Sequence, residues 1–241
     1  MKTAYVFDVD GTLTPSRGLM DEKFQTFFFD FCTTNNVFLV TGSDKPKTVE
    51  QVGNVIYGMA KRVYNCSGND IWEGSINTYC SDWKLPEEPW KYLENVLNHS
   101  KFSPKTGWHF EERTGMLNFS IVGRKCTKAQ RKDYIEWDTA RRDRETIATE
   151  FNNHFGEKYN VKATVAGETG LDITEAKCGK AQILPDFEEY NDIVFFGDKT
   201  MKGGNDHDIA KALIEAGQTV YAVNEWQDTY RILAQMHETN T

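Results

Sequence analysis

The sequence lacks the features that would direct it to a membrane, a nucleic acid or a disulfide framework. No apolar run approaches the roughly 18 residues that a membrane span needs, so we expect no membrane partner. Lysine and arginine together number 28 against 36 acidic residues, and the net charge of −8 argues against a nucleic-acid partner. The five cysteines form no Cys-x-x-Cys pair and are odd in number, which is typical of reduced thiols in a cytoplasmic protein.

The first residues also lack a basic region followed by an apolar one, so we expect no secretory leader and a cytoplasmic location. What the chain does contain is apolar side chains, at 39% of 241 residues. That content suits one large or two modest domains with buried cores.

Two carboxylates stand one residue apart near the start of the chain. Apolar or small residues at 4–7 predict a short buried strand, and Asp8, Asp10 and Gly11 follow it. Residues i and i+2 of an extended strand point to the same side, so Asp8 and Asp10 are expected close together. Mg²⁺ between them would relieve their repulsion. The alternative is an ordinary turn, since Asp and Gly are common turn residues.

Further strands and helices follow in the order that a parallel α/β sheet requires. Residues 37–40 predict a second buried strand that ends at Thr41 and Ser43, before a helix over 45–58. Hydroxyl and backbone N–H groups at such a point can bind phosphate. The alternative there is a plain helix N-cap by Ser43 or Asp44.

The middle of the chain changes character. Residues 108–122 alternate apolar and polar side chains in two strand-like runs, which indicates an antiparallel sheet with one buried face. Residues 128–154 form a charged run that predicts one long helix. The apolar strand pattern resumes at 192–196. We therefore expect an inserted α+β domain of residues 81–184 within a core domain of residues 1–80 and 185–241.

A third carboxylate closes the strand predicted over 192–196. Asp198 stands where Asp8 stands after the first strand, and the carboxyl ends of parallel strands share one edge of the sheet. Asn205 and Asp206 precede the next helix and could support this loop, although a helix N-cap is the alternative for Asp206. Lys180 could neutralise a nearby carboxylate and a phosphate, whereas the alternative is a solvated surface lysine.

Local positive charge occurs in the inserted segment as Arg113, Arg124 and Arg131. Arginine binds phosphate through two parallel charged hydrogen bonds, so these residues are candidates for a phosphate clamp. Surface salt bridges are the alternative.

These motifs carry a family resemblance. Asp8-Val9-Asp10-Gly11-Thr12 resembles the first motif of the haloacid dehalogenase (HAD) superfamily. The stretch from Phe195 to Asp208 is similar to the fourth HAD motif of eukaryotic-type phosphomannomutases, and the arginine-bearing stretch from Arg113 to Cys126 is similar to their cap sequence. The resemblance implies a Rossmann-like HAD core with a parallel sheet and an inserted C2-type cap. It also implies interconversion of mannose 6-phosphate and mannose 1-phosphate, which feeds GDP-mannose synthesis.

The resemblance further implies roles for residues matched by position. Asp8 would be the nucleophile that becomes a phospho-aspartate, and Asp10 the acid/base. Mg²⁺ would be held by Asp8, the Asp10 carbonyl and Asp198, while a sugar 1,6-bisphosphate would act as activator. Lys180 matches the family's core lysine. The positions that match sugar-phosphate-binding residues are Arg17, Arg113, Arg124, Arg131 and Asp172. Family members are commonly dimers through their caps, so a homodimer is implied.

The chain departs from the family pattern at a few positions. Gly170 stands where the family usually has a substrate-contacting serine. Thr41-Gly42-Ser43 replaces paired glycines before a serine and resembles the Thr-Gly-Arg of sugar phosphatases. Residues after Asp208 lack the positions that some members use for a second cation. Besides the mutase, two hypotheses are therefore open: a sugar-phosphate phosphatase on the same fold and a non-catalytic sugar-phosphate-binding module.

Overall fold

A computed structural model describes residues 2–239 of the chain, and their side chains through residue 237. The strands are, in chain order, β1 (Thr3–Phe7), β2 (Asn36–Val40), β3 (Arg62–Asn65), β4 (Asp70–Glu73), β5 (Ile76–Cys80), β6 (Phe110–Arg113), β7 (Met116–Phe119), β8 (Val161–Ala166), β9 (Gly170–Glu175), β10 (Asp192–Gly197) and β11 (Thr219–Ala222). The α-helices are α1 (Glu22–Thr34), α2 (Lys45–Met59), α3 (Glu87–His99), α4 (Lys128–Arg141), α5 (Asp143–Tyr159), α6 (His207–Glu215) and α7 (Trp226–Thr239). Short 3₁₀ segments cover Cys66–Gly68 and Lys180–Phe187.

The chain divides into two compact units, with boundaries after Cys80 and after Lys177. The segments outside these boundaries form the core unit, and Ser81–Lys177 forms the inserted unit. The sequence predicts the second boundary after residue 184, whereas the structure places it after Lys177. The reason is that Lys180 pairs with carboxylates of the core unit and Ile183 is buried in a hydrophobic cluster of the core unit.

The core unit contains a seven-stranded sheet in the order β11-β10-β1-β2-β3-β4-β5. The first five strands in that order pair in parallel, which confirms the predicted parallel sheet. Separate hydrophobic clusters cover its two faces. On one face the aromatic side chains of α1 pack edge to face against β1, with ring centroids 5.1 Å apart for Phe7 and Phe28 and 5.0 Å apart for Tyr5 and Phe31.

The core sheet continues beyond β3. The segment after Gly68 returns as an antiparallel hairpin, β4 and β5, on the edge of β3. All five residues of β5 are exposed, so the period-2 pattern of a half-buried strand is absent there. The inserted unit therefore begins after this hairpin.

The inserted unit is a four-stranded antiparallel sheet in the order β6-β7-β9-β8, with helices packed on one face. The prediction of a single long helix over 128–154 is wrong. The helix is interrupted between α4 and α5 at Arg142, whose φ is 53°. Asp138 explains the break: its carboxylate accepts hydrogen bonds from the backbone N–H and the side chain of Arg144, both at 2.8 Å. None of the helices in the described part of the chain is long and apolar enough to cross a membrane.

Candidate active site

Asp8 lies at the carboxyl end of β1, and the sheet itself positions it. Its backbone N–H donates to the carbonyl of Phe196 on the neighbouring strand β10 at 2.9 Å. The side chain is only 2% exposed. One carboxylate oxygen pairs with the ammonium of Lys180, and the other accepts a hydrogen bond from the Thr12 hydroxyl at 3.3 Å. Burial raises the pKa of Asp8 to about 7, against the opposing charge of Lys180.

Lys180 is fully buried between two carboxylates, so the alternative of a solvated surface lysine is wrong. Besides Asp8, its Nζ contacts Asp206 Oδ1 at 2.6 Å. Burial alone would lower the pKa of Lys180, but the charges of Asp8 and Asp206 outweigh burial and raise it. The ammonium form is therefore favoured, and it offsets the negative charge at the end of β1.

Asp206 precedes α6 but does not cap it through its side chain. Its second carboxylate oxygen accepts a hydrogen bond from the backbone N–H of Lys199 at 3.1 Å. The side chain thus ties the loop after β10 to Lys180, as the loop-supporting hypothesis requires. Asn205, which we grouped with Asp206, is exposed.

Asp8, Asp198 and Asp206 bring one carboxylate oxygen each within 4.8 Å of one another. Asp198 Oδ1 is buried and has no hydrogen-bond partner among the described residues. Burial raises the pKa of Asp198, which Lys199 opposes. A buried oxygen without a partner, beside further carboxylates, fits a hard divalent cation such as Mg²⁺.

Gly11 allows Asp198 to approach the first motif. Its φ is 81°, and a Cβ on Gly11 would collide with the Asp198 carboxylate. Only glycine meets both conditions, which explains the residue type at this position. The expected contribution of the Asp10 carbonyl to the cation stays a prediction.

Asp10 is held by donors on three sides and is half-buried. Its Oδ1 accepts hydrogen bonds from the backbone N–H of Arg17 at 2.5 Å and from Gln51 Nε2 at 2.9 Å. Its Oδ2 faces the Ser43 hydroxyl at 3.4 Å. Arg17 itself is exposed and has a left-handed φ of 57°. The carboxyl group is thus oriented, with Oδ1 occupied by two N–H donors.

The loop after β2 carries the residues predicted to bind phosphate. Thr41 is buried, and its hydroxyl oxygen accepts a hydrogen bond from the backbone N–H of Ser43 at 3.1 Å. Asp44 caps α2 by accepting from the backbone N–H of Lys47 at 3.0 Å, so the helix-cap alternative is correct for Asp44. Ser43 is then left to contact Asp10, and the phosphate-binding roles of Thr41 and Ser43 stay predictions.

The inserted unit presents a polar row across its sheet. Glu111, Asn118 and Asp172 are cross-strand partners on β6, β7 and β9, and so they share one face. Asn118 Nδ2 donates to Asp172 Oδ1 at 2.6 Å. Burial raises the pKa of Asp172, while Asn118 and the charges of Arg113 and Arg124 oppose that rise. The opposite face, with Leu117 and other apolar residues, packs against the helices.

The three arginines of the inserted unit are all ion-paired. Arg113 and Arg124 converge on the same oxygen of Glu111, at 2.7 and 2.8 Å. Arg131 pairs separately with Glu168 at 3.1 Å. The structure therefore brings Arg113, Arg124 and Asp172 into one neighbourhood, and it also shows the ion pairs that the salt-bridge alternative required.

Comparison with known proteins agrees with this geometry. The model of the eukaryotic phosphomannomutase family matches residues 24–239. The chain belongs to this family. It is 32% identical over 230 residues to a phosphomannomutase of Solanum lycopersicum, covering 91% of this chain and 89% of that protein. It is 30% identical over 230 residues to a phosphomannomutase of Triticum aestivum, covering 91% and 90%.

Solved structures confirm the HAD fold predicted from the sequence. A haloacid dehalogenase-like hydrolase from Bacteroides thetaiotaomicron matches with a TM-score of 0.63 at 14% identity, over 98% of this chain and 100% of that chain. An Aspergillus fumigatus trehalose-6-phosphate phosphatase matches with a TM-score of 0.58 at 17% identity, over 99% and 93%. At such identities the likeness shows the fold alone.

Four residues that contact predicted site residues, two in each unit, were not predicted from the sequence. Thr12 belongs to the first motif, and its place four residues after Asp8 was a visible signal. Glu111 stands two residues before Arg113 on a strand, so alternation alone puts both on one face. Asn118 is likewise in the alternating run. Gln51 is 41 residues from Asp10, and no local pattern connects them.

Proposed function

We propose that this member of the eukaryotic phosphomannomutase family interconverts mannose 6-phosphate and mannose 1-phosphate. The observation that carries the proposal is the environment of Asp8. The Asp8 carboxylate is buried and paired with Lys180, whereas the Asp10 carboxyl group, two residues later, is held by separate donors. These different surroundings suit a nucleophile at Asp8 and an acid/base at Asp10.

In the proposed reaction Asp8 attacks a phosphorus atom of a sugar 1,6-bisphosphate, the activator. A bond forms between the Asp8 carboxylate and phosphorus, and the bond from phosphorus to the sugar oxygen breaks. The departing oxygen receives a proton from Asp10. A hexose monophosphate then attacks the phospho-aspartate through its free hydroxyl, whose proton passes back to Asp10. This step regenerates Asp8 and forms a sugar bisphosphate intermediate. The intermediate then reverses its orientation and transfers its other phosphate to Asp8.

Lys180 favours this chemistry through its charge. Its ammonium stays beside Asp8 whether that side chain is a carboxylate or an acyl phosphate, and Asp206 fixes its position. Mg²⁺, held by Asp8, Asp198 and the Asp10 carbonyl, would neutralise charge on the transferred phosphoryl group. Thr41 and Ser43 complete the proposed phosphate site.

The second phosphate of the intermediate requires its own binding residues. We assign it to Arg113, Arg124 and Arg131, because a planar guanidinium binds a phosphate through two hydrogen bonds. Arg17 and Asp172 are assigned to the sugar phosphate on the family resemblance. Since the intermediate presents either phosphate in turn, several arginines are useful at this position.

A phosphatase on the same fold is the second candidate, with water as the acceptor. The observation that favours it is Gly170, which offers a substrate no side-chain hydrogen bond. A Cβ at this position would lie 2.7 Å from Asn118 Nδ2. The test is to incubate the protein with Mg²⁺, mannose 1-phosphate and a trace of sugar bisphosphate and follow the products by ³¹P NMR. Mannose 6-phosphate is expected; inorganic phosphate alone would favour the phosphatase.

A homodimer formed through the inserted unit and a cytoplasmic location are further parts of the proposal. The first rests on the family resemblance and the second on the cysteine pattern. Sedimentation of the purified chain tests the dimer directly, since a monomer at micromolar concentration would contradict it.

A further inference from the structure

Glu111 is the anion around which two arginines assemble. Its Oε2 accepts a hydrogen bond from Arg113 Nη2 at 2.7 Å and forms an ion pair with Arg124 Nη2 at 2.8 Å. Two guanidinium groups repel each other unless an anion lies between them. One carboxylate oxygen thus bridges the two cations, which is the arrangement that a phosphate oxygen makes with a pair of arginines.

We propose that Glu111 is an internal place-holder, which occupies Arg113 and Arg124 until the phosphate of a hexose phosphate displaces it. The proposal rests on the sugar-phosphate site proposed above and adds a residue that limits its affinity. Displacement is feasible because the three side chains are partly accessible, at 41% for Arg113, 27% for Arg124 and 30% for Glu111.

Charge gives the place-holder its selectivity. A phosphate carries up to two negative charges and three acceptor oxygens, whereas Glu111 offers one charge and contacts both arginines through one oxygen. A dianion can therefore replace Glu111, while chloride or a free carboxylate gains little by doing so. Asp172 adds to this effect, since the charges of Arg113 and Arg124 also act on its carboxyl group. Two cations facing two anions leave the resting site nearly neutral.

The next residue provides a matched control. Glu112 follows Glu111 on β6, points to the opposite side of the strand and pairs with Lys84 instead of an arginine. Glu111→Gln and Glu112→Gln therefore remove the same charge from adjacent positions. Only the first releases the arginines.

The experiment is isothermal titration of the full chain with mannose 6-phosphate, in an Asp8→Asn background that prevents turnover. Glu111→Gln is expected to bind about three- to tenfold more tightly, since half-exposed ion pairs are weak competitors. Glu112→Gln is expected to bind as the background does. Equal or weaker binding by Glu111→Gln would overturn the proposal, because it would show that Glu111 supports the arginines without competing.

Two further measurements keep the test decisive. With Asp8 intact, Glu111→Gln should lower KM without raising kcat, because substrate and product are both held more tightly. In the unmodified chain, the ¹³C carboxyl resonance of Glu111 should shift as mannose 6-phosphate is added. An unmoved resonance at saturation overturns the place-holder even if Glu111→Gln fails to fold. The proposed mutase reaction is tested separately by ³¹P NMR, so either idea can fail alone.

Discussion

The buried charges of the core unit and the exposed charges of the inserted unit use the same ion-pair chemistry to different ends. Lys180, Asp8 and Asp206 are at most 2% exposed. Arg113 and Arg124 are 41% and 27% exposed. Breaking a buried pair leaves an uncompensated charge in a medium of low dielectric, whereas a half-exposed pair exchanges its partner with water or a ligand at small cost. Burial thus separates fixed charges from replaceable ones.

A third pair shows that burial matters more than the unit in which a pair lies. Arg144 and Asp138 belong to the inserted unit, yet their side chains are only 11% and 12% exposed. The guanidinium also donates to the carbonyls of Gly167 and Gly170, at 3.0 and 3.3 Å. We therefore class this pair with the fixed charges of the core unit.

The largest effect is expected at the nucleophile. Asp8→Asn should reduce the interconversion of mannose phosphates by at least about 1,000-fold, because an amide cannot form the phospho-aspartate. Coupled assays measure turnover, and far-UV circular dichroism checks that the fold is kept. Substantial residual turnover in a folded variant would remove Asp8 from its assigned role.

The next effect concerns the buried ammonium. Lys180→Met should lower the free energy of unfolding by about 3–5 kcal/mol, since it leaves Asp8 and Asp206 facing each other without a counter-charge. Urea denaturation followed by tryptophan fluorescence measures it. The control is Lys199→Met, which removes a half-exposed lysine paired with Asp198 and should cost less than about 1 kcal/mol. Similar losses of unfolding free energy in both variants would contradict the distinction between buried, fixed charges and exposed, replaceable ones.

A smaller loss of stability is expected at the buried pair of the inserted unit. Arg144→Met should destabilise the protein by about 2–3 kcal/mol, because Asp138 loses its partner and the turn after β8 loses its donors. Arg131→Met, whose pair with Glu168 is exposed, should change stability by less than about 1 kcal/mol. Thermal unfolding of the two variants side by side decides the matter, and a larger loss in Arg131→Met would contradict it.

The smallest effects on the free energy of unfolding are expected at the replaceable charges of the inserted unit. Their substitution should change activity and leave stability nearly unchanged. Arg113→Ala, Arg124→Ala and Arg131→Ala should each reduce mutase turnover by about 10- to 100-fold, the value of one or two charged hydrogen bonds to phosphate. Hydrolysis of a small phosphate ester, which has no second phosphate, should change less than about twofold. Equal losses in the two assays would show that the arginines do not bind a distal phosphate.

Local pattern predicted the fold well where side-chain period and burial agree. The strands that carry Asp8 and Asp198 were predicted because short apolar runs precede them, and the alternating run around Gly115 correctly indicated β6 and β7. The hairpin of β4 and β5 was not predicted, since β5 has no buried face. The break at Arg142 was missed because a charged run looks the same in one helix or two.

The sequence by itself determined which residue types stand at the ends of the strands: paired carboxylates, a glycine that admits Asp198, and hydroxyl residues after β2. These follow from local chain geometry, which neighbouring residues specify. Only the tertiary structure decided which charges are fixed and which are replaceable. Lys180 and Asp8 are 172 positions apart, and Glu111 gathers Arg113 and Arg124 through the geometry of one sheet. Burial and partnership depend on chain topology, and no spacing in the sequence specifies them.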